Sequence, residues 1–235
     1  MAGIYFHYPF CSQACNYCNF HFSTQTKYRQ QMQQAMKSEL YLRKSELKTP
    51  IESIYFGGGS PSLLPASFFH KVIKSVNDCF KLGNDIEITL EANPNDLTLQ
   101  NLKDLKKSGV NRISIGVQSF HDYELKMMNR IHNSNQGLKA IEWTSKVFDN
   151  FSVDLIYGLP KSNISTWAHN LDILTSFNPP HISSYALTVE PKTVLFRQVD
   201  KGDIKLLDEE AVQLQYDLLT SRLENEAYIN YEFSN

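Results

Sequence analysis

The chain has 235 residues, a formal net charge of -2 and an isoelectric point of about 6.4. It carries no block of like charges, so we expect neither nucleic acid nor an anionic membrane as a partner. No segment approaches the roughly 18 apolar residues of a membrane helix, and the N-terminus lacks the basic and apolar regions of a signal peptide. Composition therefore predicts a soluble cytoplasmic protein, and the length suits one large α/β domain.

Short strand-like runs alternate with longer helix-like segments along the chain. The predicted strands cover residues 3–8, 53–56, 86–91, 112–117, 151–157 and 181–189. Apolar residues recur at helical spacing in the segments between them. Thr98 and Gly109 are residue types that begin and end helices, and Pro65, Ser134 and Ser165 are further predicted helix starts.

Six β–α repeats in succession predict a parallel sheet, because parallel neighbours need crossover connections. We therefore expect an α/β fold, a partial (β/α)6 TIM-like barrel. Ligands of such folds meet the carboxyl ends of the strands, so residues just after each strand become functional candidates. The run 228–235 has the pattern of one more strand, and we expect the chain to be truncated there.

Three cysteines near the start predict a metal centre. Cys11, Cys15 and Cys18 have the spacing C-x3-C-x2-C, and three thiolates on one short loop can hold three corners of a [4Fe-4S] cube while the fourth iron stays open. Zinc bound by the three sulfurs and a histidine, His7 or His21, remains the main alternative. A disulfide would leave one thiol over and is less favoured.

A glycine-rich run, Gly57-Gly-Gly-Ser-Pro61, follows the second predicted strand. Successive glycines allow positive φ and close approach of the backbone to a ligand, although a tight turn alone would also account for them. The position of the run at a strand's carboxyl end favours the ligand, since the cysteine motif also follows a strand.

A set of motifs in chain order resembles one known family. It comprises Tyr5-Phe-His-Tyr-Pro-Phe-Cys11 with the cysteines that follow, the glycine run, Glu91-Ala-Asn-Pro94, Gly116-Val-Gln-Ser-Phe120, Asn129-Arg130 and Asp154-Leu-Ile-Tyr-Gly-Leu-Pro160. Together they resemble the radical S-adenosylmethionine (SAM) family of oxygen-independent coproporphyrinogen III oxidases and their heme-chaperone relatives. The resemblance implies a radical SAM domain over residues 1–235, with a C-terminal domain absent.

The resemblance also implies the site residues. The three cysteines match the cluster ligands, and the positions that match the SAM pocket are Tyr5, Tyr17, Gly58, Gly59, Ser60, Glu91, Gln118, Arg130, Asp154 and Ala186. Ser60 stands where the family usually has threonine. In the oxidases this pocket accommodates a second SAM.

The chemistry of these side chains agrees with such roles. Glu91 and Asp154 can balance a sulfonium and an amine, while Arg130, Gln118 and Ser60 can donate hydrogen bonds to a carboxylate and hydroxyls. A solvated charge or a surface ion pair is the simpler interpretation for the charged residues.

The resemblance further implies reductive cleavage of SAM, with an electron donor protein as a partner. Phe10, Phe20 and Phe22 could keep water from the cluster, or could simply pack in the core. Cys79 is expected to pack as a small hydrophobe rather than to act as a fourth ligand.

Three functions remain open at this stage. The first is a heme chaperone that delivers heme to acceptor proteins, the second a coproporphyrinogen III oxidase that converts propionate side chains of the porphyrinogen to vinyl groups, and the third a zinc-stabilised α/β domain. Two features favour the chaperone: Cys11 lies almost at the start of the chain, and Cys18-Asn-Phe20 replaces the Cys-Gly-Cys typical of the oxidases.

Overall fold

The computed structural model describes residues 2–232, and its scaffold is one parallel sheet of six strands in sequence order. The strands are β1 (Ala2–Tyr8), β2 (Ile51–Gly58), β3 (Leu82–Ala92), β4 (Arg112–Gln118), β5 (Phe151–Tyr157) and β6 (His181–Ala186). Each strand pairs with the next, and within the described residues β1 and β6 do not pair with each other. The sheet is thus an open barrel, which confirms the predicted fold class.

Helices make the crossovers between the strands and continue after β6. They are α1 (Arg29–Leu42), α2 (Ala66–Cys79), α3 (Leu99–Lys107), α4 (Asp122–Met127), α5 (Ser134–Ser145), α6 (Ile164–Ser176), α7 (Val194–Asp200) and α8 (Glu209–Asn225). Buried side chains of the helices and strands form one main hydrophobic core. In the described part of the chain, no helix has the length and apolar character needed to span a membrane.

The two faces of the sheet differ in polarity. Side chains alternate between faces along a strand, and Ile54, Phe56, Val153 and Leu155 are buried in the core. The opposite face is polar: one row across β1 to β4 runs through Tyr5, Tyr55, Thr89 and Arg112. A closed TIM barrel fills its interior with branched apolar side chains, whereas the inner face of this open sheet carries polar side chains.

Helix boundaries follow the predicted signals in part. The Thr98 side chain accepts a hydrogen bond from the Asn101 N–H, and Gly109, with φ +105°, follows α3, so both predictions for this helix are confirmed. Pro65 precedes α2 as expected.

α5 begins at the predicted Ser134, whereas α6 begins at Ile164, one residue before the predicted Ser165. Asn133 and Asn163 cap these helices: the Asn133 side-chain oxygen accepts from the Gln136 N–H, and that of Asn163 accepts from the N–H groups of Ser165 and Thr166. Asparagine and serine are similarly good caps, so the choice between neighbours depended on backbone geometry that the sequence pattern does not contain.

The last two strand predictions differ from the structure. β6 ends at Ala186 rather than at Val189, and the chain turns before Pro191, where Thr193 donates its hydroxyl to the Glu190 carbonyl. Proline lacks the N–H that a strand needs to continue a ladder. Residues 228–232 form no strand: the Tyr228 hydroxyl donates to the Pro179 carbonyl at 2.7 Å, and the Tyr231 hydroxyl lies 2.6 Å from His181 Nε2 in β6, so side chains rather than a backbone ladder hold this segment. Residues 233–235 lie outside the described part.

Candidate functional site

A cavity of about 940 Å³ lies at the carboxyl ends of the strands. It is lined by the loop after β1 and by residues at or after the ends of β2 to β6. Every predicted site residue except Tyr5 borders it: Cys11, Cys15, Tyr17, Cys18, Gly58, Gly59, Ser60, Glu91, Gln118, Arg130, Asp154 and Ala186. Motifs separated by up to 175 positions therefore meet in one place, as the rule for parallel sheets predicts.

The cysteine loop is held against the turn that follows α4. The Gln13 side chain donates to the Asn129 carbonyl at 2.8 Å, and the Asn129 side chain donates to the Ala14 carbonyl at 2.7 Å. The Asn16 N–H donates to the Met128 carbonyl at 3.0 Å. These bonds place all three cysteines, which are free and partly buried, at one wall of the cavity.

The donor set fits an iron–sulfur cluster. In a cube, three cysteines bind three different irons and need not converge on one point, and within residues 2–232 no three His, Cys, Asp or Glu side chains form a group that could hold a single metal ion. Burial raises the pKa of the Cys18 thiol to about 11. Since metal ligands must be thiolates, loading of the cluster would release protons.

His7, one of the two histidines proposed as a fourth zinc ligand, has other partners. His7 bonds the His21 carbonyl through Nε2 at 3.0 Å and the Tyr5 hydroxyl through Nδ1 at 3.2 Å. Neither histidine borders the cavity. The zinc site with three cysteines and one histidine thus has no free His7 nitrogen to use.

The glycine run packs against the start of the cysteine loop. The Gly59 N–H donates to the Tyr8 carbonyl at 2.7 Å, and the Ser60 N–H donates to the Phe10 carbonyl at 2.9 Å. A Cβ on Gly59 would lie 2.8 Å from backbone atoms of Pro9 and Phe10. The glycine at this position therefore permits close approach of two backbone segments beside the cavity.

Two carboxylates lie on the strand-end side of the cavity. Glu91 accepts hydrogen bonds from the Tyr55 hydroxyl at 2.8 Å and from the Gly58 N–H at 3.1 Å. Asp154 accepts from the Ser114 hydroxyl at 3.3 Å. Burial, and then the negative charge of Glu91, raise the pKa of Asp154 to about 7, and burial also raises that of Glu91. A bound cation would favour the charged form of both carboxylates.

Hydrogen-bonding groups face the same space. The Arg130 guanidinium donates to the Gly116 carbonyl at 2.6 Å and to the Asn93 side-chain oxygen at 2.8 Å. Gln118 has φ +71°, and its side-chain oxygen is buried without a hydrogen-bond partner. A buried unpartnered acceptor at a cavity is a group that a ligand can satisfy.

Tyr5 is the one predicted site residue that the structure places away from the cavity lining. Its side chain is 56% exposed, and its ring lies 5.9 Å from that of Tyr55. A Cβ on Gly57 would lie 2.9 Å from the Tyr5 ring. Because Tyr5 faces inward one row below the strand ends, it supports the glycine run from beneath.

The three phenylalanines near the cysteines have different surroundings. Phe10 is buried in the core, whereas Phe20 and Phe22 border the cavity. Phe20 is 70% exposed, so it lies at the rim and does not itself seal the site. Cys79, in contrast, packs against the core at the end of α2, as expected.

Sequence reasoning assigned no role to two asparagines that the structure places at the centre of the site. Asn93 joins Ser60 to Arg130, and Asn129 ties the cysteine loop in place. Both lie inside the motifs used for the resemblance. The available signals were a polar amide two residues after Glu91 and an asparagine at a tight turn, where φ is +59°.

Comparison with known families decides the larger group to which this site belongs. A family model described as the Radical SAM superfamily matches residues 5–174. The chain belongs to the radical SAM superfamily. Membership confirms the predicted resemblance, and it implies SAM and a [4Fe-4S] cluster as cofactors of the family.

Individual relatives refine the comparison. The heme chaperone HemW of Bacillus subtilis (strain 168) is 34% identical over 239 aligned positions, which cover 100% of this chain and 63% of that protein. The mitochondrial radical S-adenosyl methionine domain-containing protein 1 of Danio rerio is also 34% identical, over 100% of this chain and 53% of its own length.

Solved structures give the same fold. The coproporphyrinogen III oxidase HemN of Escherichia coli superposes with a TM-score of 0.86 and 25% identity, over 97% of this chain and 53% of that one. The methyltransferase TsrM of Kitasatospora setae superposes with a TM-score of 0.66 at 11% identity and shares the fold alone. The chain spans about half to two thirds of the length of these relatives.

Proposed function

We propose that residues 1–235 form the radical SAM domain of a heme chaperone, and that the natural protein has a further C-terminal domain. One observation carries the proposal: identity with the heme chaperone HemW is 34% and extends along the whole chain. The run Cys18-Asn-Phe20 supports it, since the oxidases typically have Cys-Gly-Cys there.

The described residues supply a place for both cofactors. Cys11, Cys15 and Cys18 would hold the [4Fe-4S] cluster, and the reduced cluster, when bound, would supply the electron that cleaves SAM. The cavity volume lies at the upper end of the roughly 300–1,000 Å³ typical of ligand pockets. The groups that would bind SAM are Tyr17, Gly58, Gly59, Ser60, Glu91, Gln118, Arg130, Asp154 and Ala186, with Tyr5 beneath them.

The charge of each side chain indicates which group of SAM it would bind. Glu91 and Asp154 would balance the positive charges of the sulfonium and the amine, because both carboxylates are desolvated and gain from a cation. Arg130 and Gln118 would bind the carboxylate and hydroxyl groups. The glycine at position 59 lets this backbone pack against Pro9 and Phe10 beside the cavity, where a Cβ would lie 2.8 Å from their backbone atoms.

Heme is the proposed cargo, with a porphyrinogen as the alternative ligand. An electron donor protein and a heme-acceptor protein complete the proposed partners, in the cytoplasm. The second candidate function, coproporphyrinogen III oxidase, is favoured by one observation, the TM-score of 0.86 to HemN.

An experiment on the natural full-length protein tests these functions together. After anaerobic reconstitution with iron and sulfide, we expect broad visible absorption that Cys15→Ala abolishes and Cys79→Ala retains, because Cys79 packs in the core away from the cavity. Stoichiometric heme binding without vinyl formation from coproporphyrinogen supports the chaperone. Decarboxylation at a catalytic rate would favour the oxidase, and a colourless zinc protein would contradict both.

A further inference from the structure

Asn93 occupies the centre of a hydrogen-bond network between the cavity and the cysteine loop. It follows β3 directly and is partly buried. Its side-chain N–H donates to the Ser60 hydroxyl at 2.8 Å, and its side-chain oxygen accepts from Arg130 at 2.8 Å. One amide therefore uses both of its ends to join two elements of the site.

The Arg130 end of this network reaches a cysteine. The Arg130 Nη2 that donates to Asn93 also donates to the Gly116 carbonyl, which fixes the plane of the guanidinium. Its Nη1 then lies 3.5 Å from the Cys15 sulfur, within hydrogen-bonding range for sulfur. A planar guanidinium is oriented by each bond it makes, so Asn93 helps to aim a charged donor at Cys15.

The Ser60 end reaches the segment that carries Cys11. The Ser60 N–H donates to the carbonyl of Phe10, the residue before Cys11. Asn93 is itself fixed, because its backbone N–H donates to the Ser62 hydroxyl at 3.3 Å, and that hydroxyl donates to Asp96 at 2.7 Å. The backbone and both side-chain ends of Asn93 are therefore hydrogen-bonded, which fixes the orientation of its amide.

We infer that Asn93 is a positioning residue that holds the Arg130 guanidinium against the Cys15 sulfur and thereby raises the reduction potential of the cluster. Hydrogen bonds to cysteine sulfur tune cluster potentials, and a cationic donor stabilises the additional negative charge of the reduced cluster. The inference rests on the cluster of the proposed function. Asn93 would act on the cluster only through Arg130, which bonds both the Asn93 side chain and the Cys15 sulfur.

The test is a redox titration of the reconstituted full-length protein without SAM, monitored by electron paramagnetic resonance. Asn93→Ala should disfavour reduction by about tenfold, which is 59 mV for a one-electron couple, at unchanged iron and sulfide content. Asn95→Ala is the matched control, since Asn95 borders the same cavity but its side chain bonds Asp96. An equal shift in both variants, or none in Asn93→Ala, would overturn the inference.

A double-mutant cycle checks that the effect passes through Arg130. In an Arg130→Gln background, Asn93→Ala should shift the potential by much less than it does alone, because coupled residues are not additive. If the shifts in reduction potential of the two single variants simply add in the double variant, Asn93 does not act through Arg130. A wild-type protein that binds no cluster would overturn the proposed function together with this inference, whereas a normal cluster with an unchanged variant potential overturns the inference alone.

A second measurement needs no cluster. In the cofactor-free protein, NMR relaxation of the Arg130 side-chain N–H groups should show a rigid guanidinium in the wild type and a mobile one in Asn93→Ala. This decides the matter if the variant loads too little iron for titration. Equal rigidity in the two proteins would contradict the positioning role.

Discussion

The buried carboxylates show how single residues give this site its charge preference. Burial, and then the negative charge of Glu91, raise the cost of ionising Asp154, so that its pKa reaches about 7, and burial also raises the pKa of Glu91. A cationic ligand reverses this by favouring the charged forms. The site should therefore bind a cation most tightly when Asp154 is deprotonated.

This argument predicts pH-dependent binding of SAM to the reconstituted protein. Below pH about 7 Asp154 is protonated and neutral, so the dissociation constant should rise toward tenfold per pH unit as the pH falls. Above pH 7 it should level off. Calorimetric titrations between pH 5.5 and 8.5 would measure this.

Variants separate Asp154 from the other acidic groups. Asp154→Asn should bind SAM more weakly at pH 8 and should lose most of the pH dependence. Asp149→Asn is the control, because the Asp149 side chain is fully exposed. An unchanged pH profile in Asp154→Asn would show that another group titrates.

The contact between the glycine run and the cysteine loop is a property of two elements rather than of one residue. Gly59→Ala would place a Cβ 2.8 Å from backbone atoms of Pro9 and Phe10, which cannot move as a side-chain end can. We expect a loss of about 1–3 kcal/mol in the free energy of unfolding, and a lower iron content because the loop with Cys11 must shift. Urea unfolding and iron analysis would measure the two effects.

Gly202→Ala is the matched control for that change. Gly202 has φ +78°, but nothing lies within 4 Å of its Cβ position. Only the backbone cost of about 1–2 kcal/mol should remain, with a normal iron content. Normal cluster loading in Gly59→Ala would refute the close-approach explanation.

The start of α6 tests the corrected helix boundary. Asn163 accepts hydrogen bonds from the N–H groups of Ser165 and Thr166, both at 2.9 Å. Asn163→Ala should therefore reduce the free energy of unfolding by about 1 kcal/mol, whereas Ser165→Ala, at the start predicted from the sequence, should change it by less than about 0.5 kcal/mol. Thermal or urea unfolding measures both, and equal losses would argue against the observed cap.

At the scale of the whole molecule, the sequence predicted topology better than detail. Consecutive βα repeats have few ways to form a parallel sheet, so the strand order and the meeting of the motifs at one edge could be predicted. The role of Asn93 could not, because its partners Ser60 and Arg130 lie 33 and 37 positions away. That Tyr5 lies outside the cavity lining also could not be predicted, because Tyr5 is in the middle of β1 and the sequence does not show how deep the cavity reaches.

The central claim is that Cys11, Cys15 and Cys18 hold a [4Fe-4S] cluster with one iron open to SAM. The most direct measurement is electron paramagnetic resonance of the anaerobically reconstituted, reduced full-length protein, before and after SAM is added. We predict a cluster signal that changes on addition of SAM and is absent in Cys15→Ala. A cluster signal indifferent to SAM, or a protein that binds no iron under reconstituting conditions, would contradict the account.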